Sequence, residues 1–263
     1  PDGLALYMAS NRPGSQALDI WVSRRGRASD PWGPPQNLGA PINTAANEFC
    51  PTPLPGNRLM FVSTKPGCGG SDIYIAHEDG RGGWQEPYHL GCTVNSAQDE
   101  ASPIIVRYED GTRELSFSST RLGGFAGDPP GAAAGDSDIY VSRVRWDGSI
   151  ATPALAPGLN TEFQDARPNL RRDGLELVFD SDRPGSAGLD IWSAVRRRTS
   201  RGWDEPFNVF EVNSSGSETR AFLSRDARTL YFGSNRPGAE RPADPNAPVA
   251  ADIYASTRRK HGH

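Results

Sequence analysis

The chain contains no run of about 18 apolar residues, so no segment of it reads as a membrane-spanning helix. No window repeats apolar residues at helical spacing over several turns, which argues against a helical bundle. Basic residues are slightly outnumbered (Lys+Arg 28 against Asp+Glu 32, net charge −4), so the broad positive field that nucleic acid requires is missing and no nucleic-acid partner is expected. Cysteine is scarce, at 3 residues, and neither Cys-x-x-Cys nor His-x-x-x-His occurs, which removes the common zinc ligand sets. The 4 histidines (His77, His89, His261, His263) are scattered, and repeat logic assembles no Ser-His-Asp triad from them. The glycines at 67, 69 and 70 form a turn without the strand–glycine–helix context of a phosphate loop. The opening Pro1-Asp2-Gly3 already belongs to a repeated pattern, so no signal peptide is visible.

Glycine (29) and proline (23) are plentiful, as in proteins built from many tight turns. They punctuate an internal repeat. An Asp-Ile-aromatic motif begins at Asp19, Asp72, Asp138, Asp190 and Asp252, at spacings of 53, 66, 52 and 62 residues. The connections over 122–137 and 237–251 carry insertions of ten and nine residues. Without them the spacings become 53, 56, 52 and 53. One unit is therefore used five times, over approximately 1–44, 45–96, 97–161, 162–214 and 215–263.

Each unit reads as short strands. Runs ending at Ser10, Ser63, Ser119, Ser181 and Ser234 read as strands, with a leucine and an aromatic two apart on one face, as in Leu59/Phe61, Leu115/Phe117, Leu177/Phe179 and Leu230/Phe232. The Asp-Ile-aromatic segments give a second strand. A third runs from Asn37 or His89 to Asn43 or Asn95, and a fourth follows Glu48, Glu100, Asp165 and Glu218. Asp-Gly pairs at 2–3, 110–111 and 173–174 supply hairpin turns. Four antiparallel strands per unit of about 53 residues, repeated in a ring, predict an all-β, five-bladed β-propeller forming a single domain over 1–263. The first unit lacks its first strand and the last unit its last, so ring closure is expected to be incomplete or completed by strands outside this sequence.

The Pro1-Asp2-Gly3 turn, the aromatic-x-Ser-x-Arg run and the Asp-Ile-Tyr strand resemble the WD40-like (PD40) repeat of TolB-type propellers. That resemblance covers nearly the whole chain and implies the architecture. Its members do many different things, so it leaves function open.

The repeated carboxylates Glu48, Glu100, Asp165 and Glu218 each lie five residues after an asparagine, and symmetry sets them around one mouth of the central channel. With Arg167 and Arg220 two residues further along their strands, they form a candidate binding cup for a cation, a sugar or a basic group. A structural calcium in the channel is a further possibility, and no other cofactor is implied. The competing reading is structural: each carboxylate accepts backbone N–H bonds where blades join. In the Ser-x-Arg/Lys elements, the basic residue is expected to pair with the Asp of the next strand across the connection. Trp32, Trp84 and Trp203 read as blade-edge packing.

Cys68 and Cys92 fall on one rim of one blade and are expected to form a disulfide, which implies an oxidising compartment, periplasmic or extracellular. Cys50 remains free. These features together predict a non-catalytic binding or scaffold propeller of the bacterial cell envelope. It would hold a protein or glycan on the rim that carries the long connections. The alternative is a carbohydrate-active enzyme, a glycoside hydrolase or lyase, working with the carboxylates at the channel mouth, as glycoside hydrolases among five-bladed propellers do.

Overall fold

The computed structural model describes residues 3–127, 135–224, 226–238 and 252–258. Within them lie 18 strands and no helix, arranged as five antiparallel sheets that form the blades of a ring. Blade 1 has β1 (Ala5–Ser10), β2 (Asp19–Arg24) and β3 (Gln36–Asn37). Blade 2 runs outward through β4 (Glu48–Leu54), β5 (Arg58–Ser63), β6 (Asp72–His77) and β7 (Tyr88–His89). Blade 3 repeats this order with β8 (Glu100–Arg107), β9 (Arg113–Ser119), β10 (Asp138–Val144) and β11 (Ala154–Leu155). Blade 4 does so with β12 (Asp165–Leu170), β13 (Glu176–Ser181), β14 (Asp190–Val195) and β15 (Phe207–Asn208). Blade 5 has β16 (Glu218–Leu223), β17 (Thr229–Ser234) and β18 (Asp252–Thr257). The expected five-bladed propeller is thus present, with three strands in the first and last blades.

Period-two alternation sets the packing. In β5, β9 and β13 the leucine and the phenylalanine two residues on (Leu59/Phe61, Leu115/Phe117, Leu177/Phe179) share a face and are fully or almost fully buried. That face meets the isoleucine of the preceding blade's Asp-Ile-aromatic strand. Ile20 packs with Leu59 and Phe61. Ile73 packs with Leu115 and Phe117, and Ile139 with Leu177 and Phe179. Ile191 meets Phe232 and Ala221 in the same way. The hydrophobic core is therefore four clusters, one at each junction from blade 1 to blade 5, and each buried phenylalanine contributes roughly 1.5–3 kcal/mol. Among the described residues no fifth cluster joins blade 5 to blade 1. Ile253, in the place of the four buried isoleucines, is 70% exposed.

The outer strands are shorter than the sequence implies, two residues each, and Ile42-Asn43 and Val94-Asn95 lie beyond them. Side chains explain the early stop. Asn37 Oδ1 accepts the N–H of Gly39, which bends the chain off the sheet. Asn43 then substitutes for strand pairing: its amide accepts from Ile20 N at 2.8 Å and donates to Ile20 O at 2.9 Å. Asn95, Asn160 and Asn213 bind Ile73, Ile139 and Ile191 in the same manner. The repeated asparagine is thus a backbone mimic that closes the outer edge of each blade.

Every inner strand carries a bulge. The pairing of β4 with β5 shifts between Phe49 and Thr52, and β8, β12 and β16 shift at the same place. Cys50, Ser102, Arg167 and Arg220 occupy these bulges with φ of 51°, 50°, 55° and 56°, the left-handed region that ordinary side chains rarely adopt. Two of them meet directly. Cys50 Sγ lies 3.3 Å from Ser102 Oγ across the boundary of blades 2 and 3.

Candidate functional site

The start of each inner strand docks on the neighbouring blade. The N–H groups of Glu48, Glu100, Asp165 and Glu218 donate to the carbonyls of Leu18, Ser71, Ser137 and Leu189, each just before the Asp-Ile-aromatic strand of the preceding blade. The four carboxylates therefore occupy equivalent junctions on one rim. All four residues are 0% exposed.

Each is held by three or four protein donors. Glu48 accepts from Thr44 N (2.9 Å), Thr44 Oγ1 (2.7 Å) and Ser63 Oγ (2.7 Å). Glu100 accepts from the N–H and hydroxyl of Ser96, from Ser119 Oγ and from Arg121 Nη2 at 3.1 Å. Asp165 accepts from the N–H and hydroxyl of Thr161 and from Arg183 Nη2. Glu218 repeats the Glu100 pattern with Ser214, Ser234 and Arg236. A carboxylate so enclosed shows no oxygen to solvent, whereas a hard cation's coordination needs several accessible oxygens.

Three arginines of the Ser-x-Arg elements, Arg121, Arg183 and Arg236, thus pair with the carboxylates heading their inner strands, and the expected Arg–Asp pair across the connection gives way to this arrangement. Arg121, Arg183 and Arg236 each place a guanidinium over the aromatic rings of their own blade, within 4.6–5.3 Å of the centroids, which aims the charge inward. The Asp of the next strand has a different duty. Asp19 accepts from Gln16 N, Ala17 N and Asn37 Nδ2, shaping the connection and tying it to the outer strand.

Blade 2 departs from its neighbours. Cys68 and Cys92 form the expected disulfide, and Cys50 is free and half-buried. His89 stands where blades 1 and 4 have Asn37 and Asn208. Its Nδ1 accepts from Gly91 N (3.1 Å), so Nε2 carries the proton that reaches Asp72 Oδ2 (3.1 Å). Cys68, Asp72 and His89 are the one His/Cys/Asp/Glu grouping among the described residues with metal-like spacing, their ligand atoms within 4.8 Å of one another. It does not fit a metal ion: the cysteine sulfur is committed to the disulfide, and Asp72 Oδ2 already receives two protein donors.

Arg167 and Arg220 converge on a residue that the repeat did not reveal. Asp180, fully buried, accepts from Arg167 Nη1 at 2.7 Å and from Arg220 N at 3.0 and 3.1 Å. Its counterparts are Ala9, Val62, Ser118 and Gly233, so an alignment of the units would have marked it as the one charge at that position. Burial pushes its carboxyl above the usual carboxylate range, and the Arg167 guanidinium opposes that shift without cancelling it. Asp110 and Asp226 are held below the usual range by the hydroxyls of Thr112 and Ser224 and by backbone N–H groups. A carbon-detected NMR titration should therefore find Asp180 protonating at higher pH than either. Because its pKa is raised on folding, the stability linked to Asp180 is complete below the unfolded value of about 4 and is lost as the pH rises through the raised value. Coincident titration of all three would refute this assignment.

The rim also holds a cleft of about 490 Å³ beside the junction of blades 3 and 4, lined by Phe125, Glu162, Phe163, Arg183, Trp192 and Glu205. Phe125 belongs to the first long connection. Residues 128–134 of that connection, and 239–251 of the second, lie outside the described residues. Sequence reading passed over this cleft. The available signal was asymmetry: Glu162-Phe163 stands where other units have Ala45-Ala46, Ala97-Gln98 and Ser215-Gly216.

Fold and rim together define a five-bladed β-propeller whose repeated polar groups are turned inward. No family model and no curated protein matches the sequence. Solved structures do. An α-L-arabinofuranosidase from Lactobacillus brevis is similar over 97% of this chain and 87% of its own, at 13% identity and a TM-score of 0.63. An endo-arabinase from Bacteroides thetaiotaomicron is similar over 97% and 89%, at 15% identity and a TM-score of 0.56. TolB from Acinetobacter baumannii matches 98% of this chain at 15% identity and a TM-score of 0.51. The chain spans about half (51%) of that TolB structure. At these identities the likeness is one of fold.

Proposed function

We propose that this chain is a non-catalytic binding propeller of the bacterial cell envelope, periplasmic or extracellular, that engages a protein or glycan on the rim bearing the long connections. One observation carries the reading. The acids repeated in the four blades that have an inner strand are sealed from solvent and held by three or four protein donors each, whereas the long connection over 122–137 and the Glu162-Phe163 pair break the fivefold pattern on that rim. A general acid or nucleophile must reach its substrate, and a carboxylate with 0% exposure that already accepts three or four hydrogen bonds is poorly suited to either role. The disulfide supports an oxidising compartment.

The test shortens the connection over 122–137 to the length of its counterpart in blade 2 and compares capture of partners from envelope extract. Capture should be lost with the fold intact, as judged by circular dichroism. Unchanged capture would count against the rim. Release of reducing sugar from arabinan or another polysaccharide, abolished by Glu100→Gln, would overturn the non-catalytic reading in favour of a carbohydrate-active enzyme.

A further inference from the structure

The cleft beside blades 3 and 4 has a lopsided polar inventory. Most of its donor side chains are already engaged. Asn160 Nδ2 donates to Ile139 O at 2.9 Å, and Thr161 Oγ1 donates to Asp165 Oδ2 at 2.8 Å. Trp192 Nε1 donates to Ser186 Oγ at 3.0 Å. Arg183 gives Nε to Ser181 Oγ at 3.0 Å and Nη2 to Leu159 O and Asp165, and is only 8% exposed. The acceptors differ. Glu162 and Glu205 are exposed, and neither carboxylate has a hydrogen bond or ion pair among the described residues. Between them stand apolar rings: Phe125, 57% exposed, half-buried Phe163, and the prolines Pro184 and Pro206.

Exposed acceptors that outnumber the free side-chain donors, set among rings, call for an occupant rich in donors and flat enough to stack. A neutral sugar presents about as many acceptors as donors and would leave its acceptors unpaired there. A guanidinium presents five donors and no acceptor, is weakly hydrated and stacks on aromatic faces. We infer that the Glu162–Glu205 cleft is a receptor for an arginine side chain of a partner polypeptide. The inference rests on the rim-binding reading above and names the chemistry that the rim selects. Charge complementarity carries it: Asp165 neutralises the enclosed Arg183, so the charge facing the opening is that of the two glutamates. Asymmetry supports it, because the ring from the long connection and the Glu162-Phe163 pair meet at this junction alone.

The experiment is fluorescence anisotropy with a labelled peptide, Gly-Ser-Arg-Gly-Arg-Ser-Gly, and the same peptide with citrulline for arginine, which keeps the shape and removes the charge. The arginine peptide should bind, and the citrulline peptide should bind about tenfold more weakly or worse. The double variant Glu162→Gln, Glu205→Gln should weaken the arginine peptide by about tenfold, and Phe125→Ala by a few-fold. Both glutamates are exposed and without partners, so folding should be unaffected, and circular dichroism checks it. Equal binding of the two peptides, no binding of the arginine peptide, or displacement by a neutral oligosaccharide such as cellohexaose would overturn the inference. Capture from envelope extract separates the two readings. Loss on shortening 122–137 with retention in the double glutamine variant leaves the rim reading standing and removes the arginine. Retention in both removes the rim.

Discussion

Asp165→Ala should lower unfolding free energy by about 3–5 kcal/mol, the usual cost of removing one partner of a buried ion pair. The size follows from what stays behind. Arg183 is 8% exposed and gives Nη2 to Asp165, while its guanidinium is fixed over Phe179 and Trp192. Truncation strands that charge in the junction of blades 3 and 4 and removes the acceptor for the N–H and hydroxyl of Thr161. Glu48→Gln gives the contrast. Glu48 receives only neutral donors, from Thr44 and Ser63, and blade 2 has Lys65 where the others have arginine; the Lys65 ammonium sits over the Tyr74 ring, 4.2 Å from its centroid. A glutamine keeps one acceptor oxygen, and serine and threonine hydroxyls can rotate to accept, so the loss should be about 1 kcal/mol. Urea titrations of the two variants measure both. A cost below about 1 kcal/mol for Asp165→Ala would mean that the carboxylate is not a structural strut, and would return it to the list of ligand-binding groups.

The second large effect is expected at the disulfide. Cys68 and Cys92 are 24 residues apart in sequence, and closing a loop of that size restrains the unfolded chain by about 3.5 kcal/mol on chain-entropy grounds. Replacing both by serine should therefore lower the melting temperature by about 10 °C, given the usual scaling for a chain of this size. The bond joins the connection between β5 and β6 to the turn after β7, so its loss loosens the outer edge of blade 2 first. Reductant should lower the melting temperature of the native protein to that of the double variant and leave the variant unchanged. A melting temperature unmoved by reductant would show that the bridge contributes nothing.

Much of this architecture was legible because the chain repeats itself. Five copies of the Asp-Ile-aromatic motif fixed the number of blades and, through the Leu/Phe pairs two residues apart, the buried faces. The constant step from asparagine to carboxylate placed Glu48, Glu100, Asp165 and Glu218 at equivalent junctions, and matched loops brought Cys68 to Cys92. What stayed hidden was the partner of each polar group. Arg121, Arg183 and Arg236 lie closer in sequence to Asp138, Asp190 and Asp252 than to the acids they bind, and the choice is made by cation–π seating over rings on two adjacent strands. The outer strands ended early because Asn43 and its counterparts mimic a peptide group, a role that spacing alone does not express. Asp180, Phe125, Glu162 and Phe163 escaped notice for the opposite reason: a search for what recurs passes over what occurs once.

The left-handed bulge of the inner strands has a consequence for how such a wheel can change. Backbone pairing on either side of it is completed by groups other than the bulge side chain, and thiol, hydroxyl and guanidinium all sit there at nearly the same φ. The bulge is therefore a standard backbone seat that accepts side chains of different chemistry. The freedom has one limit: the Arg167 guanidinium is the partner of the buried Asp180 carboxylate, so a neutral residue there needs a neutral residue at 180 as well.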